Sequence, residues 1–159
     1  MIYQLPECKN EKVPAPSCQF KHRMSMQVRF NDIDILGHIN NSTYLAFFDL
    51  AKADYFTKAT SARVEIGGVS LAIVNINCNF YSPGYFNEPL DAVTAVTRIS
   101  RRSVTMEQRL YNSESGDVKC TATTILVGFD ASSATGIEIP QEYVERLEAF
   151  EGRKLMVEK

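Results

Sequence analysis

No stretch of the chain approaches the roughly 18 consecutive apolar residues that a membrane-spanning helix needs, so a membrane-embedded role is not expected. The first twenty residues hold no apolar core behind a basic start, which argues against a secretory signal. Basic residues do not dominate either. Seventeen Lys and Arg face nineteen Asp and Glu, the net charge is -2, and no basic stripe is present, so nucleic acid is not an expected partner. The four cysteines, at 8, 18, 78 and 120, form no C-x-x-C pair and have no histidine at zinc-finger spacing. Neither a metal nor a cofactor is expected. Cys78 and Cys120 sit in apolar strand patterns and read as buried thiols. Cys8 and Cys18 lie in a polar leader, and the cytosolic character of the rest argues against their pairing. There is no internal repeat. What remains is 159 residues, 45% hydrophobic, enough for one globular domain with one core in a cytoplasmic protein.

Residues 1–23 carry Pro6, Pro14 and Pro16 among scattered charges and read as an irregular N-terminal arm, a partly ordered strap or a disordered tail. From Met24 to Phe30, apolar and polar residues alternate as on a strand. A polar turn, 31–37, leads to Asn40 and Asn41, good helix N-caps. Tyr44, Phe47, Phe48, Ala51 and Tyr55 then recur at helical spacing, and Leu45, Leu50 and Phe56 add a second apolar flank. A helix so apolar is expected to be wrapped by other structure. A loop over 59–67 precedes a long strand over 69–82. There Val74, Ile76, Cys78 and Phe80 alternate with Asn75, Asn77 and Asn79, until Ser82-Pro83-Gly84 breaks the pattern. Three further strands follow over 90–100, 104–110 and 118–129, the last two joined by a hairpin at 112–117. Pro140 opens a short helix with Tyr143, Leu147 and Phe150 on one face, and a charged tail runs over 151–159. The order is strand, long helix, four strands in meander, short helix. This fits the α+β class, with an antiparallel five-stranded sheet curled around one central helix. The strand at 69–82 reads as a long apolar edge that invites pairing with a second copy.

The stretch of interest is 29–44, Arg-Phe-Asn-Asp-Ile-Asp-Ile-Leu-Gly-His-Ile-Asn-Asn-Ser-Thr-Tyr. Asp32, Asp34, His38, Asn40, Asn41 and Tyr44 crowd into thirteen positions at the mouth of the apolar helix. Such a cluster is either an elaborate cap or an active site. Asp34 can orient a turn or serve as a carboxylate base or nucleophile. His38 can cap the turn or contact a reacting group. One of Asn40 and Asn41 caps the helix, while an amide or a helix-start N–H can bind an oxyanion. Gly37 permits the tight turn. Tyr44 is core or lines a pocket, and Asp32 reads as structural.

The run from Asp34 to Leu45, with His38-Ile39-Asn40-Asn41 at its centre, resembles the D-x-x-x-H-[VI]-N-N-x-x-Y-[LF] signature of hotdog-fold acyl thioesterases. The nearest group is the 4-hydroxybenzoyl-CoA thioesterase-like family of small acyl-CoA thioesterases. The likeness spans about residues 24–150, and includes the Tyr81-Ser82-Pro83 turn and the Arg101-Arg102-Ser103 bend. It implies a hotdog domain over 24–150 acting on an acyl-CoA or acyl carrier protein thioester. It also implies a homodimer or homotetramer with active sites at the dimer interface. Asp34, His38 and Asn40 fall on the catalytic positions, Asp34 as nucleophile or general base. Gly37, Asn41 and Tyr44 would contact substrate. Arg101 and Arg102, with Lys58 and Arg63, are candidates for the phosphates of the carrier group. Plant acyl-ACP thioesterases share the His-x-Asn-Asn segment but have Asn where this chain has Leu36, so carboxylate-led chemistry of the acyl-CoA type fits better. Two rivals stand beside it. One is a non-catalytic hotdog module that binds an acyl group or only dimerises. The other is a hotdog hydratase, disfavoured because the only other histidine, His22, precedes the expected domain.

Overall fold

The computed structural model describes residues 1–61 and 70–157. The strands are β1 (His22–Met26), β2 (Ser70–Phe80), β3 (Leu90–Ile99), β4 (Ser103–Asn112), β5 (Val118–Asp130) and β6 (Thr135–Gly136), and the helices α1 (Asn41–Thr60) and α2 (Gln141–Glu151). One antiparallel sheet runs in the order β1-β3-β4-β5-β2, with β6 paired to the end of β5. The α+β class holds, but the sheet has six strands where five were expected. β6 is two residues long, too short to leave a periodic trace. The meander is also shorter than expected. Only β3, β4 and β5 follow one another, while β2 lies on the far side of β5, with Phe80 opposite Cys120 and Ser70 opposite Phe129. The expected 59–67 loop and Arg63 lie largely outside the described residues.

Helix α1 spans 20 residues, about 30 Å, and lies across one face of the sheet. Its first half buries Tyr44, Phe47, Phe48 and Ala51 against Leu90, Leu110, Cys120 and Ala122. Its second half buries Tyr55 and Phe56 against Val96, Ile99, Met106 and Leu126, with Tyr143, Val144 and Leu147 of α2 closing that end. Each of these aromatic side chains contributes on the order of 2 kcal/mol by leaving water. The wrapping is one-sided. Of the expected second flank, Phe56 is buried, whereas Leu45 and Leu50 are 39% and 51% exposed. β2 is an edge strand, as the pattern predicts, and Val74, Ile76 and Phe80 on it are exposed.

The N-terminal residues form a strap. The Tyr3 N–H donates to the Phe20 carbonyl, and Phe20 is buried against Val93, Ala95, Tyr111 and Val118 on the sheet face turned away from α1. The strap crosses so close to the β4–β5 hairpin that a Cβ at Gly116 would overlap the Glu7 carbonyl. His22 does not precede the folded unit: it lies in β1, where Nε2 meets Asp54 of α1 at 2.8 Å. Burial lowers its pKa, against the opposing pull of Asp54.

Candidate active site

The segment 29–41 is a compact knot ahead of α1. Asp32 is buried, and its carboxylate accepts the Arg29 N–H (2.7 Å) and the Arg29 guanidinium (3.1 Å), while its carbonyl accepts the Asn40 N–H (2.8 Å). Burial would raise its pKa, yet these bonds from Arg29 outweigh burial and the net shift is downward. Asp32 is therefore a staple. Two residues on, the Asp34 N–H donates to the His38 carbonyl (2.9 Å), and the Asp34 carbonyl accepts the Gly37 N–H (3.0 Å). Gly37 has φ +79°, which only glycine adopts without strain. The Asp34 side chain is half-buried. Oδ1 accepts the Leu36 N–H at 2.8 Å, and Oδ2 has no hydrogen-bond partner among the described residues.

Asn40 is the N-cap of α1. Its Oδ1 accepts the Ser42 N–H (3.1 Å) and hydroxyl (3.0 Å). Asn41 opens the helix, and its N–H, at the positive end of the helix dipole, has no partner among the described residues. His38 is half-buried and sets its ring edge-on to Tyr85, with centroids 5.3 Å apart. Tyr44 is buried against the Phe80 ring, and its hydroxyl accepts the Gly84 N–H at 3.0 Å.

Together these groups form one wall of a cavity of about 440 Å³, lined by Asp34, His38, Asn40, Asn41 and Tyr44. The opposite wall is Phe80 and the Tyr81-Ser82-Pro83 turn. The Ile39 N–H donates to the Gly84 carbonyl (2.8 Å), and a Cβ at Gly84 would lie 2.6 Å from Ile39 Cδ1 and 2.8 Å from the Tyr44 hydroxyl. The turn is further anchored by Lys119, a buried cation. Its Nζ reaches the Pro83 carbonyl (3.0 Å), Asp117 (2.7 Å) and Glu88 (2.8 Å). Burial would lower the Lys119 pKa, but the two carboxylates outweigh it and the net shift is upward. The anchoring by Gly84 and Lys119 is invisible in the motif, because both lie some forty or more residues away; only the Ser-Pro-Gly turn hinted at it.

The structure gathers the expected residues unevenly. Asp34, His38, Asn40, Asn41 and Tyr44 meet at one cavity, with Gly37 shaping the loop beside it. Arg101 and Arg102 do not join them within one chain. They sit at the turn after β3, whose first residue, Leu90, pairs with Met26 near the motif, so the ten-residue strand puts them about 30 Å away. Arg101 is an exposed partner of Glu138. Lys58 pairs with Asp54. Among the described residues, no three His, Cys, Asp or Glu side chains gather as a metal site, and no helix is long and apolar enough to cross a membrane.

The sequence profile of the Thioesterase-like superfamily matches residues 28–147. The chain belongs to the thioesterase-like superfamily. Thioester hydrolysis, the reaction expected of it, is this superfamily's reaction class. The chain is 24% identical over 124 residues to the long-chain acyl-CoA thioesterase FadM of Escherichia coli, covering 77% of this chain and 94% of that one. It is 25% identical over 134 residues to the acyl-CoA thioesterase YbgC of Helicobacter pylori, covering 80% and 100%. Among solved structures, a thioesterase of Thermus thermophilus in complex with coenzyme A and zinc superposes with a TM-score of 0.76 at 26% identity, covering 86% of this chain and 98% of that one. Within this thioesterase-like chain, the profile takes in the whole polar knot and both cavity walls, and leaves the N-terminal strap outside.

Proposed function

We propose that this chain hydrolyses acyl-CoA thioesters in the cavity at the start of α1, with Asp34 as the catalytic carboxylate. The observation that carries the reading is the Asp34 side chain itself: Oδ1 is held by the Leu36 N–H, Oδ2 has no partner among the described residues, and Asp34 lines the same cavity as Asn41, the first residue of the helix. The carboxylate attacks the acyl carbon to form a mixed anhydride that water then cleaves to the free acid, or takes a proton from a water that attacks the acyl carbon directly. The CoA thiolate leaves, and the Asn41 N–H or side chain receives the developing oxyanion. His38 and Asn40 border the reacting group, and Tyr44 holds the opposite wall in place. The relatives named as acyl-CoA thioesterases favour CoA over a carrier protein as the leaving group. A CoA-linked substrate fits a cytoplasmic protein.

The dimer belongs to the same proposal. An edge strand as long as β2, with exposed Val74, Ile76 and Phe80, is completed by pairing antiparallel with β2 of a second copy. Antiparallel pairing sets the Phe80 end of one chain beside the Ser70 end of the other. Arg102 lies at that second end, where its carbonyl accepts the Gly128 N–H, next to Phe129, the partner of Ser70. The carrier phosphates would then meet the partner's Arg101 and the partner's Arg102.

The test is hydrolysis of a panel of acyl-CoAs by the wild type, Asp34→Ala and Asp34→Asn. Wild type is expected to turn over at least one chain length, and both variants to lose about 100-fold or more in kcat. Wild type that hydrolyses no member above background, or variants within about threefold of it, would overturn the proposal and leave an acyl-binding module.

A further inference from the structure

A second cavity, of about 300 Å³, lies on the other side of the sheet, between the N-terminal strap and β4–β5. Leu5, Cys8 and Val13 of the strap close it from above, and Arg109, Tyr111 and Val118 form its floor. The strap that roofs it carries Pro6, Pro14 and Pro16, whose fixed φ angles stiffen it. Arg109 is only 4% exposed. Its Nε donates to Glu107 at 3.2 Å, and neither Nη atom has a partner among the described residues. Neither Nη is sealed from solvent, and the Arg109 side chain lines the cavity. Glu107 also accepts hydrogen bonds from the Ser17 N–H (3.2 Å) and hydroxyl. Arg109, paired with Glu107 through Nε, is thus left with a two-pronged donor edge in a small space with apolar walls.

A guanidinium edge that makes no bond to the protein and opens into a mostly apolar space is pre-set for an acceptor that also fills that space. The acceptor that matches such an edge is planar and presents two oxygens, as a carboxylate does. The remaining walls demand an apolar body, and the volume suits a molecule of about ten heavy atoms. We infer that the strap cavity is a binding site for a small amphiphilic monocarboxylate, its carboxylate on Arg109 and its hydrocarbon part between the strap and the sheet. The inference does not rest on the activity proposed above, because a full sheet thickness separates the two cavities.

Cys8 lines this cavity, and Cys18, equally half-buried on the same strap, does not, so the two thiols form an internal control. Maleimide labelling of each, read by mass spectrometry on the full chain, is compared with and without octanoate. Octanoate at about 10 mM or below is expected to slow Cys8 labelling at least fivefold and leave Cys18 unchanged. Octan-1-ol, which lacks the carboxylate, is expected to protect weakly. The paired change Arg109→Met with Glu107→Gln removes both charges together, so neither is stranded, and should abolish protection by octanoate. If that variant loses its thermal transition, Val13→Phe, which keeps Arg109 but fills the space, is expected to abolish protection as well. Equal protection of Cys8 and Cys18, equal protection by the alcohol, persistence of protection in these variants, or no protection of Cys8 at all would each overturn the inference.

Discussion

Two aspartates two residues apart stand in opposite settings here, and their hydrogen bonds set them apart. The Asp32 carboxylate is consumed by Arg29 and buried, whereas Asp34 spends one oxygen on Leu36 and keeps the other open to the cavity. Asp32→Ala is expected to destabilise the chain by about 1–2 kcal/mol, since it unties the knot and strands the Arg29 N–H. Asp34→Ala should cost no more than about 0.5 kcal/mol, while removing hydrolysis. Urea midpoints of the two variants check this, and equal shifts would contradict the division of labour. The sign with pH follows. The Asp32 pKa is depressed in the folded chain, so its contribution is complete above the unfolded value near 3.8 and vanishes as pH falls through the folded value. The gap between wild type and Asp32→Ala should close over that acid range. Much of this wall of the cavity was legible in the sequence because it is local: residues 34–44 are neighbours in the chain and need only one turn and one cap to converge. Gly84 was not legible as a site residue, since its need to be glycine comes from Ile39 and Tyr44 meeting it from a distant segment. Arg101 and Arg102 offer only their charge to a reading of the sequence, and charge says nothing about which end of a strand a residue occupies.

Among the elements, periodicity located α1 and the long strands to within a few residues, since each has a face to bury. Pairing was less readable. β2 bonds to β5, from 40 residues away (Phe80 with Cys120) to 59 (Ser70 with Phe129), and nothing in its own alternation says so. The exposed edge this leaves carries a prediction. Ile76→Asp, at an exposed position on β2, should turn a dimer into a monomer by light scattering at micromolar concentration without changing helix content. A species of unchanged mass would place the interface elsewhere. Helix α2 offers a sharper electrostatic contrast. The Glu148 pKa is held down to about 2 by Lys154 at 2.8 Å and then by the N–H groups of Leu155 (2.9 Å) and Met156 (3.2 Å). The Glu151 pKa is raised, burial outweighing the bonds its Oε1 accepts from the Tyr55 hydroxyl (2.6 Å) and the Val96 N–H (3.0 Å). A lowered pKa stabilises above the ordinary 4.5 and fades as pH falls toward about 2, while a raised one stabilises below 4.5 and fades as pH climbs through the folded value. Glu148→Gln should therefore be penalised near neutrality and converge with wild type in acid. Glu151→Gln should gain on wild type as pH rises above 4.5. Melting temperatures across pH 2–8 separate the two, and parallel curves would refute the assignment.

For the whole molecule, the proposed antiparallel β2 pairing would leave neither chain with a complete site: one would supply Asp34 and the helix start, the other the cationic turn. That makes the arrangement testable without a structure of the dimer. Asp34→Asn is expected to be inactive as a homodimer, and Arg101→Ala with Arg102→Ala to be impaired chiefly in KM for the CoA ester. Co-expressed at equal levels, the two should form mixed dimers in which one of the two sites has both its carboxylate and its arginines intact. Random pairing makes half the dimers mixed, so about a quarter of all sites regain full function. At substrate concentrations where the arginine variant alone is slow, the mixture should show a component with the wild-type KM and about a quarter of the wild-type maximum. Sites confined to single chains would instead give only the average of the two parents, because no pairing of chains could then join an intact carboxylate to intact arginines.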